Sequence, residues 1–170
     1  MNKAYPLTEK ELQPSEKGYH KRIEARLREV EIEQRKLTRA VEQSSSAIVV
    51  TDKDGIIEYV NPAFSQTTGY TAAEVIGKNP RVLKSGHHPP EFYREMWRAL
   101  LSGEVWQGEL INKKKNGELY WEAATITPVK DENGVITHFL ALKDNVTERK
   151  KLARQVEEQA NLLAVINENV

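Results

Sequence analysis

The chain contains no cysteine. That excludes disulfides, thiolate metal sites and cysteine nucleophiles, and it agrees with a reducing compartment. It also has no excess charge, because Lys+Arg and Asp+Glu each number 25 and the formal net charge is zero. The global basic field that drives non-specific nucleic-acid binding is therefore missing, and nucleic acid is not an expected partner. Apolar runs are short. None reaches the ~20 residues of a membrane-spanning helix, and the opening "MNKAYPLTEKELQPSEKG" lacks the apolar core of a signal peptide. A soluble, cytoplasmic chain with no membrane segment is expected. Its 170 residues leave room for one ordinary domain with extensions.

What is present begins with a heptad pattern. Ile23, Leu27, Val30, Leu37 and Val41 are spaced alternately by four and three, with Gln34 at the vacant core-type place. Charged residues such as Glu24, Arg28, Glu31 and Arg35 surround this seam, as in a helix that packs along a narrow stripe. The spacing returns at the other end in Leu152, Val156, Leu163, Ile166 and Val170, with Gln159 in the gap. Such helices either pair as coiled coils or fold singly onto their own domain. A polar residue at one core position fixes register in a coiled coil, so the seam predicts a parallel homodimer in which the Gln34 amides pair.

Between the helices the period changes. "AIVVTD" and "IIEYV", separated by "KDG", read as a hairpin. Over 61–92 the Pro, Gly and Thr punctuation predicts several short helices, and 89–102 predicts a better one with Phe92, Met96 and Trp97 along one side and Gly103 as its stop. Three longer strands follow in "VWQGELINKKK", "ELYWEAATITPVK" and "VITHFLALKD", divided by Asn116-Gly117 and by "DENG". Five strands in two local groups with helices between them predict an α+β fold, an antiparallel sheet with short helices on one face. The expected organisation is a mobile tail over 1–15, an amphipathic or coiled-coil helix over 16–45, the domain over 46–146 and a C-terminal signalling helix over 147–170.

The run "VVTDKDGIIEYVNPAFSQTTGYTAAEVIGKNPRVLKSG", with "GEVWQGELINKKKNGELYWEAATITPVKDENGVITHFLALKDNVTERK", resembles a PAS domain and its C-terminal motif. The resemblance covers about residues 40–150. It implies a five-stranded antiparallel sheet, a ligand cavity between the sheet and the short helices, and service as an input module for an effector kinase, a cyclase or a downstream PAS domain. The terminal "NLLAVINENV" resembles the lead-in to such a further domain. "DNVTERK" resembles the family's exit motif, with Asp144 and Thr147 joining the last strand to the output helix. Blue-light receptors of the light-oxygen-voltage class carry a cysteine where this chain has Pro80, so no covalent flavin adduct is expected. Two further light-receptor positions differ, with Glu122 in place of an Asn and Lys143 in place of a Gln.

The chain is also similar to the redox-sensing PAS domains of nitrogen-fixation regulators and aerotaxis receptors, which hold FAD without covalent attachment. The shared stretch is "EMWRALLSGEVWQGELINKKKNGELYW". That resemblance implies FAD as cofactor, with Asn79, Trp97, Asn112 and Tyr120 as binding residues. Pro80 departs from it too, since the nitrogen-fixation regulator has a cavity Glu there. Chemically, Asn112 suits the polar edge of an isoalloxazine because its amide both donates and accepts; as an alternative it is an exposed strand residue before a basic turn. Trp97 is either a cavity wall or ordinary helix packing. Tyr120 and Trp121 are strand neighbours and must face opposite sides, so only one lines a cavity. Resemblance assigns that place to Tyr120.

Other candidates carry less. His87 and His88 are adjacent, with no third ligand in sight, and the haem-ligating position of related domains aligns with Phe92, so neither metal nor haem is expected. Ser44 to Ser46 lack an accompanying His and acid and read as a hinge. No acid, base and nucleophile constellation points to catalysis. The expected function is sensing, redox or oxygen, through FAD; the alternative is a cofactor-free PAS block for dimerisation and relay.

Overall fold

The structure, a computed structural model, describes residues 14–168. The expected tail over 1–15 lies almost wholly outside the described residues, as does Val170 of the second heptad run. The described residues divide into two units between Val41 and Glu42. Among its described residues the first is the body of one helix, α1, Pro14–Glu42. Its apolar stripe of Ile23, Leu27, Val30 and Leu37 is exposed in the single chain.

The second unit is an α+β domain. Strands β1 (Ala47–Asp52) and β2 (Ile57–Val60) are followed by helices α2 (Pro62–Thr68) and α3 (Ala72–Val75) and a short 3-10 turn (Pro80–Leu83). Helix α4 (Pro90–Leu101), strands β3 (Trp106–Lys113), β4 (Leu119–Lys130) and β5 (Ile136–Asn145), and helix α5 (Thr147–Glu168) complete it. The sheet order is β2-β1-β5-β4-β3, and every neighbouring pair is antiparallel. The chain therefore crosses from edge to edge through α2 to α4, and the helical segment must lie across one sheet face.

Local chemistry explains the punctuation. Asn61 caps α2 through its side chain, which accepts from Phe64 N at 3.1 Å, and it also accepts from Ile48 N at 2.8 Å. The buried cap thus ties the helix start to β1. Thr71 and Glu74 form a capping box on α3. Pro89 is the N-cap of α4, which begins at Pro90, one position after the sequence suggests, because Pro at the first helical position gives up a donor the helix does not use. The core gathers where α2, α3 and the 3-10 turn meet the sheet: Val49, Ile57, Phe64, Val75 and Leu83 are all buried. Among the described residues no helix is long and apolar enough to cross a membrane.

Candidate functional site

Between the inner sheet face and the segment from the 3-10 turn to α4 lies a cavity of about 700 Å³. That is within the ~300–1,000 Å³ range of small-molecule pockets. Inward-facing residues alternate along each strand, so Leu110 and Asn112 of β3, Ala124 and Ile126 of β4, and Phe139, Ala141 and Lys143 of β5 line one side. Small residues at 124 and 141 leave the space open. Met96, Trp97 and Leu100 of α4 face them.

The segment 77–86 forms one wall. Asn79 caps the 3-10 turn, accepting from Arg81 N at 3.0 Å, and its amide donates to Gly55 O at 3.1 Å across the β1–β2 turn. Gly55 has φ +79, and a Cβ there would stand 3.1 Å from Asn79 Nδ2 and 3.2 Å from Trp97 Cη2. A side chain is thus excluded both by backbone conformation and by the two residues that close this end of the cavity. At its other end Lys84 bridges to Asn112 of β3, and Ser85 Oγ donates to Ile111 O. His88 is committed structurally: its Nε2 accepts from Ile111 N at 2.8 Å and its ring stacks on Phe92 at 4.4 Å. Burial, and secondarily the neighbouring His87, hold His88 below the ordinary histidine range.

Of the four residues singled out in the sequence, Asn79, Trp97 and Asn112 line the cavity. Trp97 also packs edge-on against Phe139 at 5.4 Å. Tyr120 faces inward as the strand alternation requires but is not a lining residue. It is only 1% exposed and its hydroxyl donates to Glu122 Oε2 at 2.9 Å, so it supports the floor from behind. Burial first, then the Glu122 charge, push the Tyr120 phenol far up, which keeps it a donor. Trp121 faces the other way, where Lys150 Nζ of α5 lies 4.4 Å from its ring centroid.

The floor itself is a cluster that single-position reasoning does not assemble. Glu122 accepts from Lys143 Nζ at 2.8 Å and from Asn112 Nδ2 at 3.0 Å, both at Oε1, and from Tyr120 at Oε2. The side chains of Lys143 and Glu122 are 9% and 2% exposed. Such a buried pair persists only when its remaining lone pairs and protons are matched. Glu122 is matched by three donors from the protein. Lys143 gives one N–H to Glu122 and lies in the cavity lining, where it offers further donors to whatever the cavity holds. In sequence, Glu122 and Lys143 read as two separate departures from the light-receptor pattern. The signal for their meeting is the strand parity across the "DENG" hairpin, which sets both on the inner face, Lys143 opposite Ala124.

From the floor, β5 runs straight into the exit. Val146 N donates to Trp121 O at 2.9 Å and Trp121 N donates to Thr147 Oγ1 at 2.9 Å. Asn145 supplies the cap, its Oδ1 accepting from Thr147 N at 3.1 Å and from Thr147 Oγ1 at 2.6 Å. Asn145 was not among the residues the motif singles out. Glu109 of β3 adds ion pairs to Arg149 and Lys150 of α5. Beyond Lys151, the apolar stripe of Leu152, Val156, Leu163 and Ile166 is exposed.

Comparison with known proteins agrees with this geometry. Residues 45–148 match a PAS domain family model. The chain is 38% identical over 130 residues to a nitrogen fixation regulatory protein of Klebsiella oxytoca, covering 76% of this chain and 26% of that protein. It is 36% identical over 129 residues to a blue-light-activated histidine kinase of Brucella anthropi, covering 74% of this chain and 26% of that one. Among solved structures, an RNA-binding light-oxygen-voltage receptor superposes with a TM-score of 0.67 at 34% identity, over 74% of this chain and 36% of that one. The chain thus spans about a quarter of the length of these curated relatives. An antiparallel sheet in the order β2-β1-β5-β4-β3, a cavity walled by the 77–86 segment and α4, and the family match over 45–148 together make this chain a member of the PAS domain family.

Proposed function

We propose that the chain is a sensory input module whose cavity holds FAD non-covalently, and that the redox state of the flavin is passed through β5 and α5 to an effector. The observation that carries this reading is the cavity's division into an apolar body and a polar floor made by Asn112, Glu122 and Lys143. An isoalloxazine is a flat apolar plate with one donor and acceptor edge, and it needs that kind of site. The donors suit the flavin: the Lys143 ammonium would serve a ring edge rich in acceptors, and the Asn112 amide would meet either polarity. Bound flavin supplies two-electron chemistry in which a ring nitrogen changes from hydrogen-bond acceptor to donor.

Lys143 is the residue that feels such a change, because an ammonium donates and cannot accept. Were a bound edge to stop accepting, Glu122 would be its remaining partner, and the balance between two positions of Lys143 would shift. Lys143 lies in the same strand as Asn145, the cap of α5. A shift at the floor therefore reaches the Trp121, Val146 and Thr147 junction along the shortest covalent route. The exposed seams of α1 and α5 suit a homodimer that presents paired output helices to a kinase, a cyclase or a further PAS domain. The relatives named as a nitrogen fixation regulator and a histidine kinase support an effector of that kind. The 170 residues themselves are assigned no catalysis.

The test is reconstitution. The purified chain is incubated with FAD, desalted and examined by absorption spectroscopy. Retained visible bands of oxidised flavin, bleached by dithionite and restored by air, are expected; a chain that emerges colourless supports the cofactor-free relay instead.

A further inference from the structure

Tyr93 of α4 lines the cavity, and its hydroxyl is the single buried side-chain polar atom without a hydrogen-bond partner among the described residues. Buried polar groups are almost always paired, and each exception calls for a physical reason. The ring is held firmly. Phe92 meets it edge-on at 5.3 Å, His88 at 6.3 Å, and Lys84 Nζ stands 4.2 Å from its centroid. The hydroxyl therefore cannot easily swing out to water. Burial holds the phenol above its ordinary range, so it remains a donor. A phenylalanine would fill the same space without an unpaired group, which makes the hydroxyl unnecessary to the packing of the domain.

We propose that Tyr93 is a ligand-binding residue, whose hydroxyl pairs with an oxygen on the hydroxylated side chain of the flavin. The assignment rests on the reading of the cavity as a flavin site. Two facts point to the side chain of the ligand and not to its ring edge. The floor already offers donors suited to a ring edge, in Asn112 and Lys143, each of which also donates to Glu122. Tyr93 instead sits on the helical wall beside Lys84, an exposed lysine that lines the same cavity and stands over the Tyr93 ring. A donor hydroxyl on a ring that carries an ammonium over its face is matched by a string of hydroxyl oxygens.

The experiment uses the full chain, freed of flavin, as wild type and as Tyr93→Phe. Riboflavin, which carries the hydroxylated chain, and lumiflavin, which carries only the ring, are titrated into each by flavin fluorescence, and urea unfolding is followed without ligand. The variant is expected to bind riboflavin about three- to tenfold more weakly, to bind lumiflavin as wild type does, and to unfold at a higher urea concentration than wild type. Equal riboflavin affinity in the two proteins overturns the assignment, as does an equal loss for both ligands. Earlier unfolding of the ligand-free variant also overturns it, because it would show the hydroxyl already satisfied. If wild type binds neither flavin, the functional reading falls and this assignment with it.

Discussion

Replacing Lys143 by methionine isolates the contribution of the cavity floor to folding. The side chains of Glu122 and Lys143 are 2% and 9% exposed and 2.8 Å apart, so the change leaves a buried carboxylate without its counter-charge. Breaking a buried pair in this way costs about 3–5 kcal/mol. Asn112 and Tyr120 still donate to Glu122, which argues for the lower end, about 3 kcal/mol. For a domain of roughly 100 residues, each kcal/mol moves the melting temperature by about 4–8 °C. Lys143→Met should therefore melt about 12–24 °C below wild type in thermal unfolding followed by circular dichroism. Glu122→Met should be worse, since it strands an ammonium and orphans two donors together. The double variant carries no buried charge and orphans only Asn112 and Tyr120, at about 2 kcal/mol, so it should be more stable than Glu122→Met alone. A Lys143→Met protein within about 0.5 kcal/mol of wild type, or a double variant as unstable as the two singles added, would refute the picture of a matched buried pair.

Two further outcomes follow from the geometry. His88 accepts from Ile111 N in its neutral form, and its folded pKa is lowered by burial, so it contributes stability that is fully present above the ordinary value of about 6.5 and is lost as pH falls through the lower folded value. Urea midpoints should therefore decline below pH ~6.5, and His88→Gln should flatten that decline; an unchanged slope in the variant would assign it to other groups. Removal of residues 1–40 takes away the exposed stripe of Ile23, Leu27, Val30 and Leu37. Mass in solution should then fall from dimer to monomer at low micromolar concentration, whereas a truncated chain that stays dimeric would place the interface on the sheet or on α5.

How far the sequence alone reaches depends on whether a feature is local. Asn116-Gly117 and "DENG" mark the two hairpins because turn geometry is set by the residues in the turn, and β3, β4 and β5 lie where those turns put them. The 3-10 turn falls in the stretch whose punctuation predicts short helices, and Asn79 and Pro80 start it with their own side chain and ring, but that this turn walls a cavity depends on what surrounds it. Alternation gives Tyr120 its face but not its depth, and depth is what separates a lining residue from one that supports Glu122 from behind. The Glu122 and Lys143 pair depends on register across two strands 21 positions apart in the chain. Tyr93 has no distinguishing signal in its sequence. It sits among Phe92, Met96 and Trp97, and only the packed structure shows that its hydroxyl meets no partner.

The proposed function requires that the cavity between α4 and the sheet bind a flavin. Ala124 and Ala141 leave that space open on the sheet side, and Ala124→Phe would fill it where the ring is expected to lie. Calorimetric titration of FAD into ligand-free wild type and into Ala124→Phe, side by side, decides whether it does. Saturable one-to-one binding to wild type, absent or at least about tenfold weaker in the variant, is expected; no binding to a folded wild-type chain, or equal binding to both proteins, would rule the flavin site out.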